Sequence, residues 1–241
     1  MYQDIKPLHP DFHGNVKLKP LSNFEFSAKA HAIPVVGPEF REVVREYVIA
    51  FTPIGESGEY GAMAALGLRE GENLYLKADG MWDATYVPIF LRRYPFLTSE
   101  MENGEAIVCI DEEAVKTLSS EDGLPLFENG EPTADIKATA QTLFRIRDDA
   151  KRDREWLKQV AAAGLLRSVS ASAELPSGQS VSMDGMWVVD EDKLREISAE
   201  QAQEWLKNGV MSLIYAHLLS LGNLPGLASR LRARETDKPA A

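Results

Sequence analysis

Apolar residues recur at helical spacing in several separate stretches of the chain. From Pro38 to Tyr47, Phe40, Val43, Val44 and Tyr47 stand at the i, i+3, i+4, i+7 positions of one buried face. Pro38 and Glu39 suit the first turn of that helix. Asp111 is placed to cap a short helix over Glu112 to Leu118. Thr133 is placed to cap a much longer one. The long pattern begins at Ala134, carries Leu143, Phe144, Trp156, Leu157 and Val160, and stops at Gly164. Its middle, Arg145 to Arg154, is dense enough in charge to predict a solvated break. Ser198-Ala-Glu-Gln201 has the spacing of a capping box. The helix behind it buries Trp205 and Leu206 and ends at Asn208-Gly209. Val210 to Leu221 and Pro225 to Arg234 predict two more helices, and Glu235 to Ala241 a frayed tail.

Short apolar runs predict strands at Ala32–Val36, Val48–Phe51, Met63–Leu66 and Ala106–Ile110. Lys17–Pro20, Ser22–Lys29 and Gly123–Phe127 read as extended, and Asn129-Gly130 as a turn. Leu165 to Leu175 and Gln179 to Val189 read as a hairpin joined at Pro176-Ser177-Gly178. The stretch around which the rest is organised is Asn73 to Leu97. Leu74, Leu76 and Ala78 alternate as in a strand, Asp79-Gly80 turns the chain, and Val87 to Tyr94 reads as a short helix with Pro88 in its first turn. Tyr94-Pro95 stops that helix. Its aromatics predict a buried cluster of Trp82, Tyr86, Phe90 and Phe96. Asp79-Gly-Met-Trp82 recurs as Asp184-Gly-Met-Trp187, each after a strand-like run, but the flanking residues do not align. The pattern as a whole predicts one compact α+β domain over residues 1–234. It has a mixed part with a sheet to about residue 133 and a helix-rich part from 134 to 234.

A chain of 241 residues can bury a sizeable core. Its net charge of −11 disfavours nucleic acid and anionic membrane as partners. Much of that charge lies between Glu100 and Asp135, where Lys116 is the one base among eleven acids. The stretch reads as a solvated acidic face, or as a docking surface for a basic partner. The single cysteine, Cys109, lies in an apolar run and reads as an inert core thiol. Its lack of a disulfide partner suits a reducing compartment. The first residues lack the charged-then-apolar pattern of a signal peptide, which points to a cytoplasmic protein unless export uses a non-classical route. Val210 to Leu221 is too short to span a bilayer, so no transmembrane segment is expected.

Candidate chemistry is sparse. No Gly-x-Ser-x-Gly elbow, zinc cysteine pair or EF-hand loop is present, and Gly55 to Gly61 lacks the lysine of a phosphate loop. His9, Asp11 and His13 would share one side of an extended segment, but Pro10 and Gly14 argue for a loop and against a tight metal site. The best polar candidate is Arg92-Arg93-Tyr94, two guanidiniums beside aromatics that can grip a carboxylate or phosphate. One arginine is expected to face the fold in a fixed polar contact, with Asp79, Asp83 or Asp111 as its partner. His217, on the apolar stretch Ile214 to Leu218, reads as a hydrogen-bonded core histidine, with proton transfer as the second option. Trp82, Tyr86, Arg92, Arg93, Tyr94 and His217 therefore make up the candidate pocket. No metal or cofactor is expected.

Blocks along nearly the whole chain resemble the bacterial SapC family. They include Ile33-Pro-Val-Val36 with Glu39-Phe40, Gly80-Met-Trp82 with Tyr86-Val-Pro88, and Arg92-Arg-Tyr-Pro-Phe96. Cys109-Ile-Asp111, Gly164-Leu-Leu166 and Tyr215-Ala-His-Leu218 belong to the same set. The resemblance supplies no catalytic residues. It implies association with a bacterial surface layer, and genes near those of flavin-dependent tryptophan-halogenase-like proteins and outer-membrane receptors. The leading expectation is a non-enzymatic accessory or interaction protein with a protein partner, which could be of the halogenase-like kind. The alternative is an enzyme or small-molecule binder using the pocket named above.

Overall fold

The computed structural model describes residues 1–55, 58–175 and 178–236. Its strands are β1 (Ile5–Pro7), β2 (Lys17–Leu18), β3 (Ala32–Pro34), β4 (Val48–Ile54), β5 (Glu59–Ala65), β6 (Phe96–Glu100), β7 (Ala106–Asp111), β8 (Leu124–Pro125), β9 (Phe127–Glu128), β10 (Glu131–Pro132), β11 (Leu166–Glu174) and β12 (Ser180–Val189). Its α-helices are α1 (Pro10–His13), α2 (Phe40–Val43), α3 (Ile89–Arg92), α4 (Glu112–Leu118), α5 (Ala134–Ala162), α6 (Glu191–Leu194), α7 (Ala199–Asn208), α8 (Val210–Ser220) and α9 (Leu224–Thr236). The fold is α+β, with antiparallel sheets and a helical C-terminal part.

The main sheet has the order β11-β12-β4-β5-β3. Val48 to Phe51 of β4 form a continuous buried run, because helices cover this central strand. β12 meets β4 at a single pair, Trp187 with Phe51, so most of the β11–β12 hairpin runs beyond the sheet. A second sheet, β1-β7-β6, lies apart. Two hydrophobic clusters accompany these two larger sheets, and β2–β8 and β9–β10 form two further two-stranded sheets. The larger holds Phe51, Tyr47, Trp156, Trp205 and Ile214. The smaller holds Leu18, Ile110, Leu126, Phe127 and Ile136, with Phe96 and Leu118 packed on it.

The predicted helix break between Arg145 and Arg154 does not occur: α5 is continuous over 29 residues. Asp149 and Asp153 turn into the fold, Arg152 pairs with Asp149 one turn away, and Arg147 pairs with Asp148. Asp153 accepts from Gly37 N at 2.7 Å and from Trp156 Nε1 at 2.9 Å, so this buried carboxylate ties α5 to the loop before α2. The helix predicted over Pro38 to Tyr47 is shorter, a 3₁₀ turn at Gly37–Glu39 and then α2, although Phe40, Val43 and Tyr47 are buried as the spacing requires. Thr133 and Ser198 cap α5 and α7 through their side chains, as expected.

The strand predicted at Leu74–Ala78 is absent. Asn73 Oδ1 accepts from Tyr75 N at 2.9 Å and bends the chain, so Leu74 and Tyr75 are buried consecutively. Only an isolated bridge, Leu76 with Trp82, remains. The segment is a loop fastened by side chains from elsewhere. Tyr47 O–H donates to Tyr86 O, and Trp82 Nε1 donates to Tyr47 Oη at 2.7 Å. Glu46 accepts from the backbone N–H of Thr85 and Tyr86. Arg230 holds Asp83. The helix predicted over Val87 to Tyr94 shrinks to the four residues of α3, with Pro88 as its N-cap. The four predicted aromatics do not form one group. Trp82 is buried in the main cluster and Tyr86 and Phe90 pack on its edge, whereas Phe96 belongs to the smaller cluster.

The repeated Asp-Gly-Met-Trp sequence has one conformational feature in common and two settings. Gly80 and Gly185 have φ of 79° and 78°, which favours glycine in both places. Gly80 closes a turn, whereas Gly185 lies where the β11–β12 register shifts. Pro176 and Ser177 of the predicted hairpin turn, and residues 237–241 of the predicted tail, lie outside the described residues. Glu235 and Thr236 continue α9. By length and composition alone, the helical run Val210–Thr236 could cross a membrane, and 28% of its most apolar window is buried. Here its inner side is core, with Ile214, His217 and Leu231 fully buried.

Candidate functional site

The residues singled out from sequence separate into three places. His217 is completely buried. Its Nδ1 lies 2.9 Å from Ile49 O, and Val189 N donates to its Nε2 at 3.0 Å. Since Nε2 accepts, Nδ1 carries the proton and donates. The neutral ring therefore links β4 to β12 where their ladder is thinnest, and burial pushes its pKa down to about 4. This ring is a core clamp. Trp82 is also in the core, bonded to Tyr47. Neither reaches Arg92, Arg93 or Tyr94.

Tyr86 and Arg92 do meet. Arg92 Nε donates to Val87 O at 2.9 Å, and its NH2 group donates to Tyr86 Oη at 3.2 Å. Tyr86 in turn donates to Glu39 Oε2 at 2.7 Å, and Ile89 N donates to the same oxygen at 3.0 Å. Val36 N donates to Oε1 at 3.0 Å. Glu39 is thus a buried carboxylate satisfied by three donors. Burial holds its pKa above the usual carboxylate range, and the hydrogen bonds pull the other way. The Tyr86 phenol is pushed up to about 12, chiefly by burial and then by Glu39. The guanidinium–phenol–carboxylate chain fixes α3 and aims Arg92 outward.

Arg93 leaves the same turn in another direction. Its guanidinium lies 4.0 Å from the Phe90 ring centroid and 6.0 Å from that of Tyr2. Its buried Nε has no hydrogen-bond partner among the described residues. The acids expected to pair with these arginines are engaged elsewhere. Asp83 belongs to Arg230 and Lys77. Asp79 accepts from Met81 N in its own turn. Asp111 accepts from Gln3 N, Asp4 N and Tyr94 Oη, so it pins the N-terminus to β7. Among the described residues neither arginine forms an ion pair. The fixed polar contact expected of one arginine is therefore made by Arg92, to a carbonyl and a phenol.

Both arginines and Tyr94 open onto a cleft of about 650 Å³ between the α3–β6 segment and the first half of α5. The opposite wall is Asp135, Ala138, Thr139, Thr142 and Arg145, a stripe at helical spacing on α5. Arg145 is exposed and has no hydrogen bond or ion pair among the described residues. The cleft therefore presents three guanidiniums and one carboxylate, in a chain whose net charge is −11. Ile89 and Phe96 supply apolar surface between them, over the buried Leu143. Arg145 was hidden in the charged run read as a solvated break. Its stripe with Asp135, Thr139 and Thr142 was the available signal.

His9, Asp11 and His13 do not converge on a point. His9 caps Asp11 N with its ring, and the buried His13 places Nε2 3.0 Å from Glu112 Oε1. Among the described residues no group of three His, Cys, Asp or Glu side chains could hold a metal. Cys109 is buried, and burial raises its thiol pKa.

Fold and site together define a small α+β protein with an open, basic, aromatic-walled cleft beside a separate closed core. The model of one protein family, SapC, matches residues 8–227, nearly the full length, and the chain belongs to the SapC family. No curated protein and no solved structure matches it.

Proposed function

We propose that this SapC-family protein is a non-enzymatic accessory protein that works by binding, and that its binding site is the arginine cleft, which takes an anionic ligand. One observation carries the reading. Arg92, Arg93 and Arg145 face a shared open volume without a protein carboxylate paired to any of them among the described residues. Unpaired guanidiniums gathered at a concave surface suit bidentate recognition of a carboxylate or phosphate. The titratable groups one would enlist for proton transfer have structural work instead: His217, Glu39, Asp111 and Asp153 are each buried and bonded within the fold. The family resemblance supports a protein partner, either a flavin-dependent halogenase-like protein or a component of a bacterial surface layer.

The test is calorimetric titration of the whole protein with citrate, inorganic phosphate and octanoate, repeated on Arg145→Ala. At least one anion should bind, and the variant should weaken it at least fivefold, as expected for a charged hydrogen bond at a partly exposed site. Absence of binding by all three, or binding indifferent to Arg145, overturns the reading. Co-elution of the purified protein with a purified halogenase-like partner tests the partner separately.

A further inference from the structure

The arginine cleft does not end at Tyr94. A second trough of about 270 Å³ continues from it, and the two share Arg92, Tyr94, Phe96, Asp135 and Thr139 as walls. Their characters differ. The first carries the three guanidiniums. The second is lined by Leu21, Pro95, Leu118, Leu124, Leu126 and Ile136, with Lys19 besides the shared Arg92 as basic side chains. It is the open flank of the smaller hydrophobic cluster, whose Phe96 and Leu118 are only half-buried. Leu124, at its rim, is 55% exposed, an apolar side chain left in water beside an apolar groove.

From this juxtaposition we propose that the ligand is an amphipathic monoanion: an acidic head held among Arg92, Arg93 and Arg145, and a single apolar chain laid along the Leu118–Leu124–Ile136 trough. The proposal rests on the reading of the cleft as an anion site and names the class of ligand. Charge sets the head group. Three guanidiniums repel a cation, and Asp135, on the wall common to both troughs, opposes a second negative charge placed toward the apolar end. Burial sets the tail. Each methylene moved from water to the apolar trough strengthens binding by about fourfold when fully covered. A polyanion such as a nucleoside triphosphate gains nothing from the second trough, and a neutral hydrocarbon gains nothing from the first.

The experiment is calorimetry on the full chain with straight-chain alkanoates from four to twelve carbons, kept below their micelle concentrations. The matching alkylammonium ions, acetate and inorganic phosphate serve as controls. Affinity for the alkanoates should rise twofold to fourfold per methylene and then level off once the trough is filled. The alkylammonium series should bind at least tenfold more weakly at equal length. Arg145→Ala should weaken every alkanoate by a common factor. Leu124→Asn, a neutral polar change at an exposed position, should flatten the chain-length dependence of the alkanoates. A flat chain-length series, or alkylammonium ions binding as well as alkanoates, overturns the amphipathic ligand. If short anions still bind in an Arg145-dependent way, the anion site itself survives that failure. If no anion binds at all, both readings fall together.

Discussion

Replacing His217 by Leu tests the reading that this ring is a structural clamp and not a proton carrier. Leu has a similar volume, so the change removes two hydrogen bonds more than it removes packing. It leaves the buried Val189 N without a partner and leaves Ile49 O only a long 3.5 Å contact from Ser220 Oγ. At about 1–3 kcal/mol for a fully orphaned group, and less for one that keeps a weak contact, the variant should lose about 2–4 kcal/mol near neutral pH. The pH dependence is the sharper signature. In the unfolded chain a histidine titrates near 6.5, whereas burial lowers this one to about 4 in the fold. The unfolded state therefore takes up the proton first, and the clamp's contribution is complete above about pH 6.5 and falls away as the pH drops toward 4. Between pH 7.5 and pH 5 the linked loss is about 2 kcal/mol. Glu39 and Asp153, whose pKa values burial raises, act in the opposite sense, but wild type and variant share them and they cancel in the difference. Urea unfolding at the two pH values, followed by tryptophan fluorescence, measures both quantities. A variant that keeps the wild-type pH dependence would show that His217 is not the group responsible, and the clamp would have to be abandoned.

Tyr47→Phe should lower stability by about 2–4 kcal/mol, because it orphans Trp82 Nε1 and Tyr86 O together; a loss below about 0.5 kcal/mol in the same unfolding assay would mean that the loop from Asn73 to Pro88 is fastened by other contacts. Phe90→Ala should cost about 2–3 kcal/mol, less than a fully buried phenylalanine, since Phe90 is only partly covered and part of its role is to carry the Arg93 guanidinium. The two glycine substitutions should separate widely. A Cβ at Gly67 would stand 2.1 Å from Glu72 O, so Gly67→Ala should prevent normal folding of that loop, whereas Gly209→Ala meets nothing within 4 Å and should cost only about 1 kcal/mol for its positive φ. Thermal melts of the two variants side by side check this ordering.

Periodicity and capping residues made the helical half of the fold legible, because these are local signals. Thr133 bonds to Ile136 N and Ser198 to Gln201 N, each within one turn of the chain. The errors have one physical source, contacts made over long sequence distances. Leu74, Leu76 and Ala78 alternate like a strand, yet no partner strand is there, and Asn73 bends the backbone first. Arg145 to Arg154 looked solvated because nothing local reveals that Asp153 bonds to Gly37, 116 residues earlier. Asp83 looked available to Arg92 or Arg93, ten or fewer residues away, but Arg230 takes it from 147 residues further on. Local acids and bases do not predict their own pairing when the fold presents a closer partner from elsewhere.

The candidate cleft was half legible for the same reason, and its position explains what it is free to do. Arg92-Arg93-Tyr94 announces itself by composition, but a cleft needs a second wall, and that wall is α5. This helix serves both cores in turn. Ile136 near its start belongs to the smaller cluster, and Trp156, Leu157 and Val160 near its end belong to the larger. Leu143 and Ile146, between them, are buried but belong to neither cluster. On the facing segment the same change of allegiance occurs between Phe90 and Phe96. The cleft therefore lies on the seam where two packed bodies share a helix. Side chains inside either core are consumed by packing and hydrogen bonding, as His217, Glu39 and Asp111 are. On the seam three arginines without a carboxylate partner among the described residues, and an uncovered apolar flank, stand open to the cleft. With His217, Glu39 and Asp111 committed to the fold, the seam is where recognition has room to occur.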